Sequence, residues 1–298
     1  PISSIDQAIA WAERFRMAVP DDVRSEAGRI KSYMEAALAE SRSTGAEISI
    51  AGFEKLMPYQ KAGVIYAKNR RRCFIADEMG LGKTLQAIAS VEEMHRQSPV
   101  YPIAVVCPAN LTLNWAKEYD KWLPERRVAV VSGRKSFPEH GTYDVVVVGY
   151  PNLVAWQAQL TGLGGYVFDE SHYLKTYTAQ RTKAAMKICR RASSSAPILL
   201  LTGTPVASRP AEYVSQLDIL GILDTFGGRM GFWRRYCNAH RDKYGQFRID
   251  GHSNLEELNS TLRSTCYIRR TKDQVLTELP PIFESTVYFE GSEKGKRD

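Results

Sequence analysis

No stretch of the sequence comes near the roughly eighteen consecutive apolar residues that a membrane-spanning helix needs, so no membrane partner is expected. The opening residues, Pro1-Ile2-Ser3-Ser4-Ile5-Asp6, carry neither a basic run nor an apolar core and do not read as a secretory signal. They also lack an initiating Met, as in a processed or trimmed chain. Cysteine is scarce: Cys73, Cys107, Cys189, Cys237 and Cys266 are scattered, odd in number and without a CxxC pair. That excludes a disulfide framework and fits unpaired thiols in a reducing intracellular compartment, cytoplasm or nucleus. Cys237, His240, His252 and Cys266 could be assembled into a zinc set, but the spacings flanking His252 are unusual, and scattered structural residues are the plainer reading. No internal repeat or low-complexity segment stands out.

What is present is the make-up of a globular chain with a real core, 44% apolar and 24% charged. Its 298 residues have room for one large domain or two modest ones. Lysine and arginine number 40 against 33 acidic residues, a net charge of +7 that is consistent with a polyanion partner. The basic residues fall in small clusters: Arg70-Arg71-Arg72, Arg126-Arg127, Arg190-Arg191, Arg234-Arg235 and Arg269-Arg270. Each fits a solvated surface as well as it fits phosphate contact.

Residues 1–50 read as a helical hairpin. Ser3 or Ser4 can cap a first helix to about Ala18, with Gln7 in capping-box position, and Pro20-Asp21-Asp22 opens a second to about Glu40. Nothing in the hairpin carries a chemical constellation. From about Phe53 the pattern changes. Short apolar runs at Cys73–Ala76, Ile103–Cys107, Val128–Val131, Asp144–Val148, Tyr166–Asp169 and Ile198–Thr202 are separated by amphipathic stretches at Thr84–Gln97, Leu111–Trp122 and Ala179–Arg191. Near-continuous apolar strands alternating with helices predict an α/β fold, a parallel sheet with helices on both faces. Strands are expected to cease after Pro205, and residues 210–265 look mostly helical with glycine breaks.

The sharpest local signal is Asp77-Glu78-Met79-Gly80-Leu81-Gly82-Lys83-Thr84, between a predicted strand and a predicted helix. Gly80 and Gly82 let backbone N–H groups close on an anion, and the helix N-terminus adds its positive end. Lys83 supplies a point charge for β- and γ-phosphates, and the Thr84 hydroxyl can ligate Mg²⁺. Asp77 stands where the general phosphate-loop pattern has its first Gly. The second signal is Asp169-Glu170-Ser171-His172 at the end of a predicted strand, where ligands of open α/β sheets bind. Asp169 suits Mg²⁺, and Glu170 suits orienting and deprotonating a water. An Asp-Glu pair alone also fits a strand-ending turn; joined to the loop, it points to ATP and Mg²⁺ as ligands.

These motifs resemble those of superfamily 2 helicase-type ATPases, and specifically of the SNF2 branch. The match runs in order from about Leu56 to Pro280. Leu56-Met57-Pro58-Tyr59-Gln60-Lys61-Ala62-Gly63 resembles the adenine-side segment, whose Gln, here Gln60, reads the base. Asp-Glu-Met-Gly-Leu-Gly-Lys-Thr is the usual SNF2 form of the loop, which accounts for Asp77. Cys107-Pro108-Ala109-Asn110-Leu111, with Asn114-Trp115 and Glu118, is similar to a segment that touches a DNA backbone, and Val148-Gly149-Tyr150 to a further strand-end contact. The box at Asp169 is of DExH form through His172; Lys175 follows as expected, and Thr176 replaces the more usual Asn. Thr202-Gly203-Thr204-Pro205 matches the segment that links nucleotide state to DNA grip. Tyr267-Ile268-Arg269-Arg270-Thr271-Lys272, then Leu279-Pro280, resembles the close of a first lobe. Ser208-Arg209-Pro210-Ala211-Glu212 is similar to the annealing-helicase subgroup. Taken singly, Gln60 also fits a plain helix start, Thr202–Pro205 a plain turn and Arg269-Arg270 a surface pair.

The resemblance implies a RecA-like, P-loop ATP-binding lobe at 51–205 and a helical protrusion inserted late in the lobe at 206–265. Residues 266–298 then form the end of the lobe and a linker toward a second RecA-like lobe. That second lobe would bring arginine fingers; with too few residues after Pro280 to form it, the chain is expected to bind nucleotide and turn it over poorly alone. The implied activity is ATP hydrolysis coupled to translocation on duplex DNA, gripped by its backbone independently of sequence. A strand-separating helicase or restriction-type translocase subunit would need a separation pin or nuclease site, and neither pattern occurs. A nucleotide-dependent DNA-binding module without turnover is a further alternative, although Lys83, Thr84, Asp169 and Glu170 are all intact. A metabolic P-loop kinase would gain nothing from Gln60 or Thr202–Pro205.

Overall fold

The computed structural model describes residues 2–46, 49–203, 209–241, 244, 246–249 and 251–276. Helices α1 (Ile2–Arg14) and α2 (Asp21–Arg42) form the hairpin, and α3 (Pro58–Arg70) leads into the alternating region. There β1 (Arg72–Ile75), α4 (Lys83–Gln97), β2 (Ile103–Cys107), α5 (Thr112–Trp122), β3 (Val128–Val131) and β4 (Val145–Gly149) follow. The one-turn α6 (Gln157–Leu160), β5 (Gly165–Phe168), α7 (Gln180–Arg190) and β6 (Ile198–Leu201) complete it. Beyond lie α8 (Tyr213–Leu220), α9 (Gly228–Tyr236), the ribbon β7 (His240–Arg241) and β8 (Phe247–Arg248), α10 (Leu255–Thr265), β9 (Tyr267–Ile268) and α11 (Lys272–Val275).

Seven strands form one parallel sheet in the order β3-β4-β2-β5-β6-β1-β9. Its centre is buried on both faces: Val105 lies between Val147 and Val167, all 1% exposed or less. Such runs have no polar face to give to water, which is why they read as continuous rather than alternating. Connections leaving β1 and β2 run toward β3, whereas those leaving β4, β5 and β6 run back toward β9. With right-handed crossovers this reversal puts α4 and α5 on one face and α7 and α8 on the other.

Several expectations change on contact with the structure. Helix α1 starts at Ile2, so Ser3 and Ser4 lie inside it rather than capping it. It stops at Arg14, before Ala18, because Arg16 takes a left-handed backbone (φ 52°), with Arg16 N–H donating to the Glu13 carbonyl and Met17 N–H to that of Ala12. Strands do not cease after Pro205: β7, β8 and β9 follow, and β9 is the sheet's edge beside β1. Helix α8 lies against β6 and α7, with Val214, Leu217 and Leu220 in the core, which joins residues 213–220 to the layer covering the sheet. Thr204, Pro205, Ser208 and the Leu279-Pro280 pair lie outside the described residues.

The basic clusters are largely occupied within the chain. Arg70 pairs with Glu40 at 3.0 Å, Arg126 with Glu92 at 2.8 Å and Arg190 with Asp218 at 2.7 Å. Arg72 donates to the carbonyls of Ser193, Ala196 and Leu220. In the Trp233–Tyr236 cluster Tyr236 is buried and Arg235 pairs with Glu257 at 2.6 Å. All five cysteines are buried free thiols, and burial pushes Cys73 and Cys107 up to about 12.

The hairpin is docked through α2, which packs on α10. Its Ser41 is fully buried and donates to the Tyr267 carbonyl of β9 at 2.6 Å, closing off an edge that would otherwise offer unpaired groups. Replacing Ser41 with Ala should lower unfolding stability by about 1 kcal/mol in a urea titration. No loss would mean that the contact adds nothing to docking.

Candidate active site

Because the sheet is parallel, the C-terminal ends of β1, β6 and β5 open side by side at one edge. After β1 the chain turns through Gly80 (φ 88°) and Gly82 (φ 74°), a left-handed conformation that glycine adopts without a Cβ penalty. Gly82 is the N-cap of α4 and no side chain caps the helix, so its first N–H groups remain available to an anion. A Cβ on Gly82 would lie 2.4 Å from Gln60 Nε2. Lys83 is 9% exposed, and its Nζ donates to the carbonyls of Asp77 at 3.0 Å and Glu78 at 3.4 Å. Burial lowers its pKa, while Glu170, Asp77 and Asp169 act the other way, in that order. Thr84 is the next residue of α4, half-buried.

Gln60 comes to the same loop from α3. Pro58 fits the first helical position, where its missing N–H costs nothing. Gln60 Oε1 accepts the Met57 N–H at 3.0 Å, and its Nε2 donates to the Leu81 carbonyl at 3.3 Å.

Asp169 stands just past β5, 6% exposed. Its Oδ2 accepts the Trp115 indole N–H at 2.8 Å and its Oδ1 the Glu170 N–H at 2.9 Å. Burial raises the Asp169 pKa, and the Trp115 bond opposes that shift. Glu170 holds a left-handed backbone, φ 47° and ψ 54°, a conformation that costs a non-glycine residue on the order of 1–3 kcal/mol and needs support from its surroundings. That support is visible. Ser171 Oγ donates to Gln216 Oε1 at 2.8 Å, and Ser215 Oγ to the Leu174 carbonyl at 2.6 Å, so α8 grips the turn. His172 Nδ1 lies 3.2 Å from Glu170 Oε2.

Thr202 and Gly203, at the end of β6, close the third side. Thr202 N–H donates to the Ile75 carbonyl at 3.3 Å. A Cβ on Gly203 would stand 2.5 Å from the Met79 side chain and 3.1 Å from Lys83 Nζ. The structure thus brings Gln60, the loop, Lys83 and Gly203 into contact, and the charges of Asp169 and Glu170 within reach of Lys83. Pro108 and Asn110 lie apart, on the turn after β2, Pro108 buried and Asn110 exposed.

Residues 59–297 match the SNF2-related domain family. The chain belongs to that family. Human DNA annealing helicase and endonuclease ZRANB3 is 37% identical over 249 residues, covering 79% of this chain and 22% of that protein. The Xenopus tropicalis SWI/SNF-related matrix-associated actin-dependent regulator of chromatin subfamily A-like protein 1 is 36% identical over 232 residues, 76% of this chain and 23% of that one. The chain therefore spans less than a quarter of these relatives. Among solved structures, a Sulfolobus solfataricus SWI2/SNF2 ATPase core in complex with dsDNA superposes with a TM-score of 0.63 at 27% identity, covering 76% of this chain and 47% of that one. The fold is that of the SNF2 ATPase core: a RecA-like parallel sheet with flanking helices.

Within this SNF2-family lobe the structure also shows what the sequence did not. Asp77 is fully buried and bonded to Arg270, which was open to a surface reading and is in fact 1% exposed. Arg270 N–H and Nε donate to Asp77 Oδ1 at 3.0 and 2.9 Å, and Nη2 to Asp77 Oδ2 and to Gln86 Oε1. Arg270 also bonds the Tyr59 carbonyl, and Gln86 Nε2 returns to Asp77 Oδ2 at 2.9 Å. Gly63 makes room for the network, since a Cβ there would lie 2.0 Å from Gln86 Oε1. Beside it Arg269 Nη1 donates to the Ala76 carbonyl, and Lys272 N–H to the Glu78 carboxylate, each at 2.8 Å. The Asp77–Lys83 loop is thereby fastened to the segment after β9.

Proposed function

We propose that this chain is the nucleotide-binding lobe of a DNA-dependent ATPase that moves along duplex DNA. The observation carrying this reading is the convergence of Lys83, after β1, with Asp169 and Glu170, after β5, across the end of β6, around a loop where Cβ atoms on Gly82 and Gly203 would crowd Gln60, Met79 and Lys83. An uncapped helix start and an ammonium held by backbone carbonyls fit a triphosphate tail. The buried Asp169 carboxylate and the Thr84 hydroxyl are oxygen donors that fit a hard cation such as Mg²⁺. Asp169 and Thr84 would hold such an ion, which would neutralise phosphate charge when bound.

In this reading Lys83 holds the phosphates and Gln60 the adenine edge. Glu170 orients the attacking water and takes its proton, with His172 fixing the Glu170 carboxylate at 3.2 Å. Thr202, Gly203 and Thr204 pass the nucleotide state toward the DNA. Pro108, Asn110 and the Gly149–Pro151 turn meet the DNA backbone, with affinity that falls as salt rises. The dsDNA-bound Sulfolobus core and the annealing-helicase relatives support this assignment. A second RecA-like lobe, in cis or in trans, supplies the arginines that raise turnover.

The test is ATP binding and turnover with Mg²⁺, with and without duplex DNA, beside Lys83→Ala. The expected result is Lys83-dependent ATP binding, salt-sensitive duplex binding and slow turnover by this chain alone. Unchanged ATP affinity in Lys83→Ala, or no duplex binding at low salt, would sink the reading.

A further inference from the structure

The two turns proposed to meet the DNA backbone each send one buried aromatic side chain to Asp169. Trp115 sits in the first turn of α5, just past the turn Ala109–Leu111, where Ala109 and Asn110 are exposed. Its indole N–H ends on Asp169 Oδ2 at 2.8 Å, and the ring is 1% exposed. Tyr150 opens the turn Tyr150–Asn152 after β4, next to the exposed Pro151. Its hydroxyl donates to the Asp169 carbonyl at 2.8 Å, and its ring stacks on Tyr173, inside the turn that follows Glu170, at 5.1 Å and 4°. The turns also touch each other, because a Cβ on Gly149 would lie 3.3 Å from Ala109 Cα.

We infer that Trp115 and Tyr150 are positioning residues that relay occupancy of the DNA-facing turns to the metal-binding carboxylate of Asp169. The inference rests on the proposed function and names the contacts through which DNA acts on the nucleotide site. A carboxylate offers about four lone-pair sites. Trp115 and the Glu170 N–H take one on each oxygen, which fixes the carboxylate plane and leaves the remaining sites for a cation. Hydrogen-bonded, close-packed rings have few torsions to absorb a displacement, so a shift of either turn is passed to Asp169 rather than lost. Linkage then requires that duplex DNA change Mg²⁺·ATP affinity, and that Mg²⁺·ATP change DNA affinity by the same factor.

The experiment uses the full chain, its Trp115→Phe and Tyr150→Phe variants, and a fluorescent ATP analogue. Affinity is measured with Mg²⁺ and in EDTA, each with and without saturating duplex DNA. In the unaltered chain DNA should change Mg²⁺·ATP affinity by a factor on the order of 5–100. Either variant should weaken Mg²⁺·ATP binding by about 10-fold and bring the DNA factor close to 1. Nucleotide binding in EDTA should stay as it was, whereas a merely structural role would weaken it together with Mg²⁺·ATP binding. Tyr150→Phe removes a single hydroxyl and serves if Trp115→Phe folds poorly. Variants that retain the DNA factor overturn the relay, as does an unaltered chain that binds duplex DNA without any change in nucleotide affinity. An unaltered chain that binds no duplex DNA overturns the proposed function itself, and the relay with it.

Discussion

Replacing Glu170 with Gln is expected to lower ATP hydrolysis by about 10²–10⁴-fold while leaving ATP affinity nearly unchanged. The two effects separate because Glu170 has no bond to the phosphate loop: the Lys83 Nζ contacts are to the Asp77 and Glu78 carbonyls. Gln keeps the size of the side chain and an oxygen for His172, but it offers a poor acceptor for the proton of a water. The left-handed backbone at 170 is held by α8 through Ser171 and Ser215, so the substitution should not move the turn. Single-turnover hydrolysis with the chain in excess over labelled ATP follows even a slow reaction over hours. Undiminished hydrolysis would mean that the water is activated by some other group.

Arg270→Ala should be the most destabilising single substitution around the site, costing about 3–5 kcal/mol of unfolding free energy in urea or guanidinium. The cost arises less from the lost attraction than from what is left behind. Asp77 is fully buried, and without the guanidinium its carboxylate keeps only the Gln86 amide and the backbone N–H of residue 270. Arg269→Ala, next door and partly exposed, removes one bond to the Ala76 carbonyl and should cost only about 1 kcal/mol. The contrast between neighbours is the informative measurement. Equal, small losses would mean that Asp77 is protonated or rehydrated once Arg270 is gone.

Most of the sheet was legible because its strands are apolar runs four or five residues long, set between helices with recognisable starts. The glycine loop after β1 and the turn at Asp169 after β5 were legible as strand-end elements because each is compressed into a few residues. β9 was not: Tyr267–Ile268 is too short for any periodicity, and only its pairing with Phe74 and Ile75 makes it a strand. The ties of Trp115 to Asp169, 54 residues apart, and of Asp77 to Arg270, 193 apart, leave no local trace either. Buried polar pairs are fixed by tertiary proximity, and a sequence pattern reports them only as an isolated charge or indole. Trp115 was grouped with a DNA-facing segment for that reason, although its N–H points inward.

The position of β6, between β1 and β5, has an electrostatic consequence. Two strand spacings separate the strand that carries the lysine loop from the strand that carries the acidic box by roughly 10 Å. The intervening strand keeps the two out of direct contact while leaving Lys83 within the field of Asp169 and Glu170. A cation and a carboxylate on adjacent strands could collapse into a salt bridge and cancel. Here Lys83 rests on backbone carbonyls and Asp169 on an indole and an amide, so each keeps its charge unspent until a ligand long enough to bridge the gap arrives.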